Sequence, residues 1–191
     1  HGCQDVAYLS QIPGMTVLCP ADFAQLRAML RHALTMDGPV ALRYPRGGED
    51  RQYPAWTGEA AAVLRPGCDV TLASYGPLAG ELLDAAEELA AQGIRAQVVL
   101  LHRIAPLDPA PVLDAARETG HLLVLEDCVE NGSVGQQLAA AAAERGLGLK
   151  SVTLLNLKNS FLGQGSVAQL RRQAGLDAAG VVRAVKEVLH G

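Results

Sequence analysis

The sequence predicts an α/β protein: a partial β-α-β unit followed by a mostly parallel sheet with helices on both faces. Short, continuous apolar runs recur along the 191 residues, and such runs are typical of strands that are covered on both sides. Segments with a helical apolar period alternate with these runs, and Gly or Pro separates most of them. This alternation of strands and helices favours a parallel sheet.

Composition and charge exclude several classes of function. The net charge is −4 and no stripe of basic residues with interleaved aromatics appears, so we expect no nucleic-acid partner. No apolar run reaches the roughly 20 residues that a membrane helix needs, and no signal peptide opens the chain. We therefore expect a cytoplasmic protein without a membrane partner.

Residues 1–47 read as one β-α-β unit. The run MTVLC at 15–19 predicts a strand that stops at Pro20, and VAL at 40–42 predicts a second, buried strand. Between them a helix is predicted, with Asp22 in its first turn. Its apolar face is expected to consist of Phe23, Leu26, Leu30, Ala33 and Leu34.

A unit of fewer than fifty residues buries too little surface to be stable alone. We expect its other strands to come from sequence upstream of His1 or from another chain. The chain also lacks an initiator methionine, and its first residues look like the middle of a domain. The sequence is therefore expected to be a portion of a longer protein.

Residues 48–58 have no strand or helix period and contain Gly, Pro and charged residues, which is typical of a linker between domains. Residues 59–191 form the second predicted domain. Its expected elements, in order, are a strand at 69–74, a helix at 77–91, a strand at 96–101, a helix ending at Arg117, a strand at 122–125, a helix at 133–145, a strand at 151–155, and two helices capped by Ser166 and Asp177.

Two arginines at the end of the second predicted strand are the strongest candidates for a binding site. Ligands of open α/β sheets lie beyond the carboxyl ends of strands, which is where Arg43 and Arg46 occur. A guanidinium suits a phosphate ester, because it stays charged and can donate two parallel hydrogen bonds. In a straight strand, residues three apart point to opposite faces. Only one arginine should then reach a given site, unless Pro45 bends the chain.

Glu126 and Asp127 follow another predicted strand and precede a predicted helix. They could act as an acid pair, or they could cap the helix or make an interface contact, and we favour the second interpretation. The turns at 74–77 and 126–135 match neither the dinucleotide fingerprint nor the phosphate loop. The histidines show no spacing typical of a catalytic triad or a metal site.

Several motifs in residues 1–47 resemble a known family. They are DVAYL at 5–9, IPGM at 12–15, CPAD at 19–22 and GPVALRYPRG at 38–47. Together they are similar to the second half of the pyrimidine-binding domain in the 1-deoxy-D-xylulose-5-phosphate synthase family, thiamine diphosphate enzymes of the transketolase superfamily. His1 and Gly2 resemble the end of that family's Thr-His-His-Gly or Thr-His-Gln-Gly motif.

Residues 59–191 resemble the transketolase C-terminal domain. The pattern shared across the superfamily includes Gly76, Ala85, Ala86, Leu89, Gly93, Ile94, Val98, Val99, Pro106, Leu107, Asp108 and Glu126. The ending is closer to the synthases, with Phe161, Leu162, Gly165, Leu170, Gly175, Leu176, Asp177 and Gly180.

The resemblance implies a transferase that condenses pyruvate with glyceraldehyde 3-phosphate, with loss of carbon dioxide, on thiamine diphosphate and Mg²⁺, for isoprenoid biosynthesis. It also implies a homodimer. Arg46 would bind the substrate phosphate, with Arg43 beside it. The family's catalytic histidine would lie immediately before His1, and the metal ligands farther upstream. The chain alone is therefore expected to lack activity.

Two departures from the synthase pattern keep alternatives open. Synthases usually read Gly-Leu-Pro-Asp-x-Phe where this chain has NLKNSF at 156–161, and a longer Gly-Gly pair where it has GSVG at 132–135. One alternative is a transketolase or a β-type subunit of a 2-oxo acid dehydrogenase. Another is a non-catalytic structural or regulatory partner from a split gene.

Overall fold

The computed structural model describes residues 2–190, with residue 190 described by its backbone alone. The amino-terminal part contains helix α1 (Asp5–Leu9), strand β1 (Thr16–Leu18), helix α2 (Phe23–Ala33) and strand β2 (Val40–Leu42). Strands β1 and β2 pair in parallel, with Val17 opposite Ala41. The predicted β-α-β unit is therefore present, with α2 as its connecting helix.

The remaining elements include the predicted alternation of strands and helices, together with two strands, at 61–65 and 103–105, that were not predicted. They are β3 (Ala61–Arg65), β4 (Val70–Tyr75), α3 (Ala79–Ala90), β5 (Ala96–Leu101), β6 (Arg103–Ala105), α4 (Ala110–Thr119), β7 (His121–Leu125), α5 (Val134–Glu144), β8 (Ser151–Leu155), α6 (Val167–Ala174) and α7 (Ala178–His190). A short 3₁₀ turn, Gly76–Leu78, leads into α3.

The larger sheet has five strands in the order β3-β5-β4-β7-β8. Strand β3 pairs antiparallel to β5, and the other neighbouring pairs are parallel. The carboxyl ends of β4, β7 and β8 therefore lie at one edge of this sheet. Strand β6 does not join it, but pairs antiparallel with β1, so the smaller sheet has the order β2-β1-β6.

Helices cover both faces of the larger sheet, as predicted. One core contains Val112 and Leu113 of α4 and Val134 and Leu138 of α5. The opposite core is formed with α3 and α7, whose buried side chains include Leu82, Ala85, Leu89, Val181 and Val185. Strand β4 lies between these two layers and is buried along its whole length.

The predicted orientation of α2 was wrong. The expected apolar face is largely exposed: 42% for Phe23, 48% for Leu30, and 81% for Leu34 just after the helix. The buried side chains of α2 are instead Gln25 and Met29. The side-chain amide of Gln25 donates to the Pro54 carbonyl at 2.9 Å and accepts from the Ala21 N–H at 2.9 Å, so its burial leaves neither group unpaired.

Residues 48–58 contain no helix or strand but are held against the first unit by hydrogen bonds. The Asp22 carboxylate accepts from the N–H of Tyr53 at 2.7 Å and also caps α2 by accepting from Gln25 N–H at 2.7 Å. The indole of Trp56 meets the ring of His32 edge-on, with centroids 5.2 Å apart. The linker is therefore packed against the amino-terminal unit and does not hang free in solvent.

Candidate anion-binding site

A pocket of about 350 Å³ lies between the two sheets, and we call it the inter-sheet pocket. Loops that follow the carboxyl ends of β2, β4, β7 and β8 contribute to its lining. This is the position at which parallel α/β sheets bind ligands. The lining residues are Gly2, Cys3, Asp5, Arg43, Tyr44, Pro45, Arg46, Tyr75, Pro77, Leu78, Asp127, Leu157, Leu162, Val167, Leu170, Arg171 and Leu176.

Arg43 is held in this pocket by charged groups from both parts of the chain. Its Nε lies 3.1 Å from Oδ1 of Asp5, and its Nη2 lies 2.9 Å from Oδ1 of Asp127. Nη2 also donates to the carbonyl of Gly2 at 3.3 Å, and the guanidinium lies 5.4 Å from the centre of the Tyr75 ring. Its charge is therefore already balanced by two carboxylates.

The pKa of Arg43 is raised above its usual range. Burial, the largest influence, acts in the opposite direction, but the negative charges of Asp127 and Asp5 and the neighbouring Tyr75 outweigh it. Only 16% of the side chain is exposed. Arg43 therefore remains a fixed cation at any pH at which the protein is folded.

Arg46 differs from Arg43 in that it is exposed and has no ion-pair partner within residues 2–190. Both arginines nevertheless line the same pocket. The expectation that they point to opposite faces assumed a strand continuing through both. Strand β2 ends at Leu42, and although Arg43 N–H still donates to the Leu18 carbonyl at 2.8 Å, the chain is irregular after it and bends at Arg46.

Glu126 caps helix α5, as we had favoured. Its Oε2 accepts from the N–H of Val134 at 2.9 Å and its Oε1 from the N–H of Gly135 at 2.7 Å. The hydroxyl of Tyr75 donates to Oε2 at 3.2 Å. A continuous series of contacts therefore runs from Arg43 through Tyr75 and Glu126 to the start of α5.

Burial raises the pKa of Glu126, although hydrogen bonds from Gly135, Cys128, Val134 and Tyr75 act against that change. Burial also raises the pKa of Tyr75 well above its usual value, and the nearby Glu126 adds to the effect. Both side chains are buried, and their polar atoms are hydrogen-bonded within the protein.

Asp127 has a different role from Glu126, because it faces Arg43. The two residues are thus not an acid pair. Sequence reasoning missed Asp5 and Asp127 as partners of Arg43, and it treated Arg171 only as a helix residue. The available signal was that Arg43 directly follows the predicted strand at 40–42 and that Asp127 is the second residue after the predicted strand at 122–125.

The pocket favours anions over metal ions. Three arginines line it, and the two lining carboxylates are paired with one of them. Within residues 2–190, no group of three or more His, Cys, Asp and Glu side chains is arranged to hold a metal ion. The predicted position of the catalytic histidine, just before His1, lies outside the described residues.

No helix within the described part of the chain is both long and apolar enough to cross a membrane.

Comparisons with known families agree with these features. Residues 59–181 match the family model for the transketolase C-terminal domain. Residues 1–48 match the model for the transketolase pyrimidine-binding domain.

Curated relatives include a 1-deoxy-D-xylulose-5-phosphate synthase 1 of Geobacter sulfurreducens, 39% identical over 197 residues, which covers 99% of this chain and 30% of the relative. A 1-deoxy-D-xylulose-5-phosphate synthase of Thermomicrobium roseum is 41% identical over 190 residues, covering 95% of this chain and 30% of the relative. The chain thus spans about 30% of the length of these relatives.

A solved structure described as a split gene transketolase, an inactive β4 tetramer, superposes with a TM-score of 0.88. The two sequences are 30% identical, and the match covers 98% of this chain and 62% of the other.

Proposed function

The chain belongs to the transketolase family, and from this premise we propose that it is part of a thiamine diphosphate-dependent 1-deoxy-D-xylulose-5-phosphate synthase. The proposed reaction joins pyruvate to glyceraldehyde 3-phosphate with loss of carbon dioxide, in isoprenoid biosynthesis. Identity of 34–41% to synthases over nearly the whole chain supports this choice within the family. In this proposal residues 1–47 belong to the pyrimidine-binding domain, residues 48–58 are the linker, and residues 59–191 are the transketolase C-terminal domain.

The observation that carries the proposal is the state of Arg46. It is an exposed arginine at the carboxyl end of a parallel strand, and its charge is not balanced by another described residue. Such a guanidinium is free to donate paired hydrogen bonds to the phosphate of glyceraldehyde 3-phosphate. Arg43 acts differently, because it is saturated by Asp5 and Asp127. We assign to Arg43 the positioning of the loop that carries Arg46.

Thiamine diphosphate, when bound, supplies the stabilisation of the carbanion that this type of carboligation needs. The described residues contain no cluster suited to Mg²⁺, so we derive no step through the metal from them. We propose that other parts of the enzyme hold thiamine diphosphate and Mg²⁺. The contribution of this chain is then to bind and orient the phosphorylated substrate and to support the fold around it.

A chimeric enzyme tests the proposal. The segment of the Geobacter sulfurreducens synthase that aligns with this chain would be replaced by the chain itself. We expect the chimera to form 1-deoxy-D-xylulose 5-phosphate when thiamine diphosphate and Mg²⁺ are present. A folded chimera that binds thiamine diphosphate but releases no carbon dioxide from pyruvate and glyceraldehyde 3-phosphate would contradict the proposed activity.

The same chimera tests the role of Arg46. Replacing Arg46 by Gln should raise KM for glyceraldehyde 3-phosphate about tenfold or more and leave KM for pyruvate unchanged, because a charge-assisted hydrogen bond to phosphate is lost. Arg172→Gln is the matched control, since Arg172 is exposed on α6 and does not line the pocket. An unchanged KM in the Arg46 variant would rule out the phosphate role.

We further propose a homodimer that works in the cytoplasm. Light scattering of the purified chimera coupled to size-exclusion chromatography measures its mass directly. A mass equal to one chain in the active fraction would contradict the dimer. Fractionation of the source cells, with activity recovered in the membrane pellet, would contradict the location.

A further inference from the structure

We propose that Arg171 is a second anion-binding residue of the inter-sheet pocket, so that Arg46 and Arg171 together bind one phosphate ester. This inference rests on the proposed function and extends it. It assigns part of the recognition of the phosphorylated substrate to helix α6, which follows the linker in sequence, whereas Arg46 precedes it.

The location of Arg171 is the first support. Helix α6 is held by a capping box, in which Ser166 and Gln169 exchange hydrogen bonds, and Arg171 lies in the last turn of the helix. Its side chain lines the same pocket as Arg46, although the two residues are on different sides of the linker in sequence. A ligand in this pocket would therefore lie between residues from both parts of the chain.

The balance of charge within the pocket is the second support. The lining carboxylates are Asp5 and Asp127, and both face Arg43. Arg46 has no ion-pair partner among the described residues, whereas Nη1 of Arg171 lies 3.4 Å from Oε1 of Glu81. Neither arginine is paired with a carboxylate that lines the pocket. Because a phosphate ester carries more than one negative charge near neutral pH, two arginines are a suitable match for it.

The hydrogen bonding of Arg171 is the third support. Its Nη1 donates to Oε1 of Glu81 at 3.4 Å, a long contact, while the other oxygen of Glu81 accepts from the N–H of Ala178 at 3.0 Å. Its Nε is buried and has no hydrogen-bond partner within residues 2–190. A buried cationic donor without an acceptor is unfavourable, and an anion in the pocket would supply the acceptor.

The rest of the lining indicates what is attached to the phosphate. Apolar side chains of Leu78, Leu157, Leu170 and Leu176 line the pocket, and all four are buried. A volume of about 350 Å³ is sufficient for a small phosphorylated ligand. We therefore expect a phosphate ester of a short carbon chain to bind more tightly than inorganic phosphate.

Binding to the chain itself tests the inference. The probe is glycerol 3-phosphate, with glycerol as the uncharged control, titrated into the 191-residue chain and followed by calorimetry. Arg171→Gln is expected to weaken binding about tenfold or more through the loss of a charge-assisted hydrogen bond. Arg172→Gln on the same helix should bind like the unmodified chain, and Arg171→Lys should recover part of the affinity.

A second measurement uses the unmodified chain, so it does not depend on whether a variant folds. The Nε–Hε resonances of the arginines can be followed by ¹⁵N-edited NMR during the same titration, and that of Arg171 should shift in parallel with that of Arg46. Melting temperatures of all variants, followed by circular dichroism, would show whether loss of the Glu81 contact has altered the fold.

The outcomes separate this inference from the proposed function. If Arg46→Gln weakens binding but Arg171→Gln does not, and the Arg171 resonance stays still, the inference fails while the proposed phosphate role of Arg46 stands. If glycerol 3-phosphate binds no better than glycerol at millimolar concentration, this pocket is not a phosphate site, and the inference fails together with that role. If the chimera nevertheless shows synthase activity, the proposed enzyme class stands.

Discussion

Arg43 and Asp127 form an ion pair across the junction of the two sheets, with Nη2 of the arginine 2.9 Å from Oδ1 of the aspartate. That oxygen is buried and makes no hydrogen bond within residues 2–190, so the contact is electrostatic in character. The pair joins the residue after β2 to the loop after β7. It therefore couples the loop of Arg46 to the larger sheet.

We predict that Asp127→Asn lowers the free energy of unfolding by about 1 to 2 kcal/mol. Removing one member of a partly buried pair leaves a desolvated cation, but Asp5 still balances Arg43. Urea unfolding followed by circular dichroism measures the change. The matched control is Asp114→Asn, which removes an exposed pair with Arg117 at 3.3 Å and should alter stability by less than about 0.5 kcal/mol. Equal effects for the two variants would refute the coupling.

Gly135→Ala should destabilise the protein by about 1 to 3 kcal/mol. A Cβ at this position would lie 2.7 Å from Oε1 of Glu126 and 2.8 Å from Cδ2 of Leu154, so the capped start of α5 would have to move. Gly148→Ala is the control, because a Cβ there meets nothing within 4 Å. Thermal unfolding of both variants distinguishes them, and a Gly135 variant as stable as the control would mean that this helix start is loosely packed.

The pH dependence of stability should report on Glu126. Since burial raises its folded-state pKa, the protonated form is favoured in the folded protein. Its contribution to stability is then fully present below the ordinary glutamate pKa and is lost as the pH rises through the higher folded-state value. Glu126→Gln does not titrate, so the stability of the unmodified chain relative to this variant should fall with rising pH. The slope should reach about 1.4 kcal/mol per pH unit at most.

The measurement is a series of urea unfolding curves for both proteins from acid to neutral pH. A constant difference between the two curves would mean that the hydrogen bonds from Val134 and Gly135 offset the effect of burial. A difference that grows with pH in favour of the unmodified chain would show that these bonds hold the carboxyl ionised.

Two substitutions in α2 should differ sharply in cost. Met29→Ala removes a fully buried side chain and should lower stability by about 2 to 5 kcal/mol. Leu30→Ala, one residue along, removes a side chain that is 48% exposed and should cost less than about 1 kcal/mol in this chain. Chemical unfolding of the two variants measures both values. The reverse order would mean that the apolar face predicted from the sequence is buried after all.

Sequence patterns predicted the larger sheet well because its signals are local and strong. Strand β5 was expected at residues 96–101 and strand β8 at 151–155, and both have those bounds. The predicted face of α3 is the buried one, including Leu82, Ala85 and Leu89. Continuous apolar runs and a regular helical period are sufficient where both faces of a sheet are covered.

The errors occur where a distant part of the chain decides the outcome. Helix α2 shows an apolar period, but the helix packs against strand β2 of the smaller sheet, and the period does not reveal which of its faces does so. Helix α1 was not predicted. Strands β3 and β6 were also missed, because β3 is rich in alanine and β6 has only three residues. The ion pairs of Arg43 join residues far apart in sequence, so local patterns could not predict them.

The pairing of β6 with β1 holds the parts of the chain before and after the linker together independently of the linker itself. Residues 103–105 lie beyond the linker, yet they complete the sheet that begins before it. The backbone of Cys19 adds to this contact by donating to the His102 carbonyl at 2.8 Å. A protease cut within residues 48–58 would therefore break the covalent chain and still leave both pieces held together as one particle.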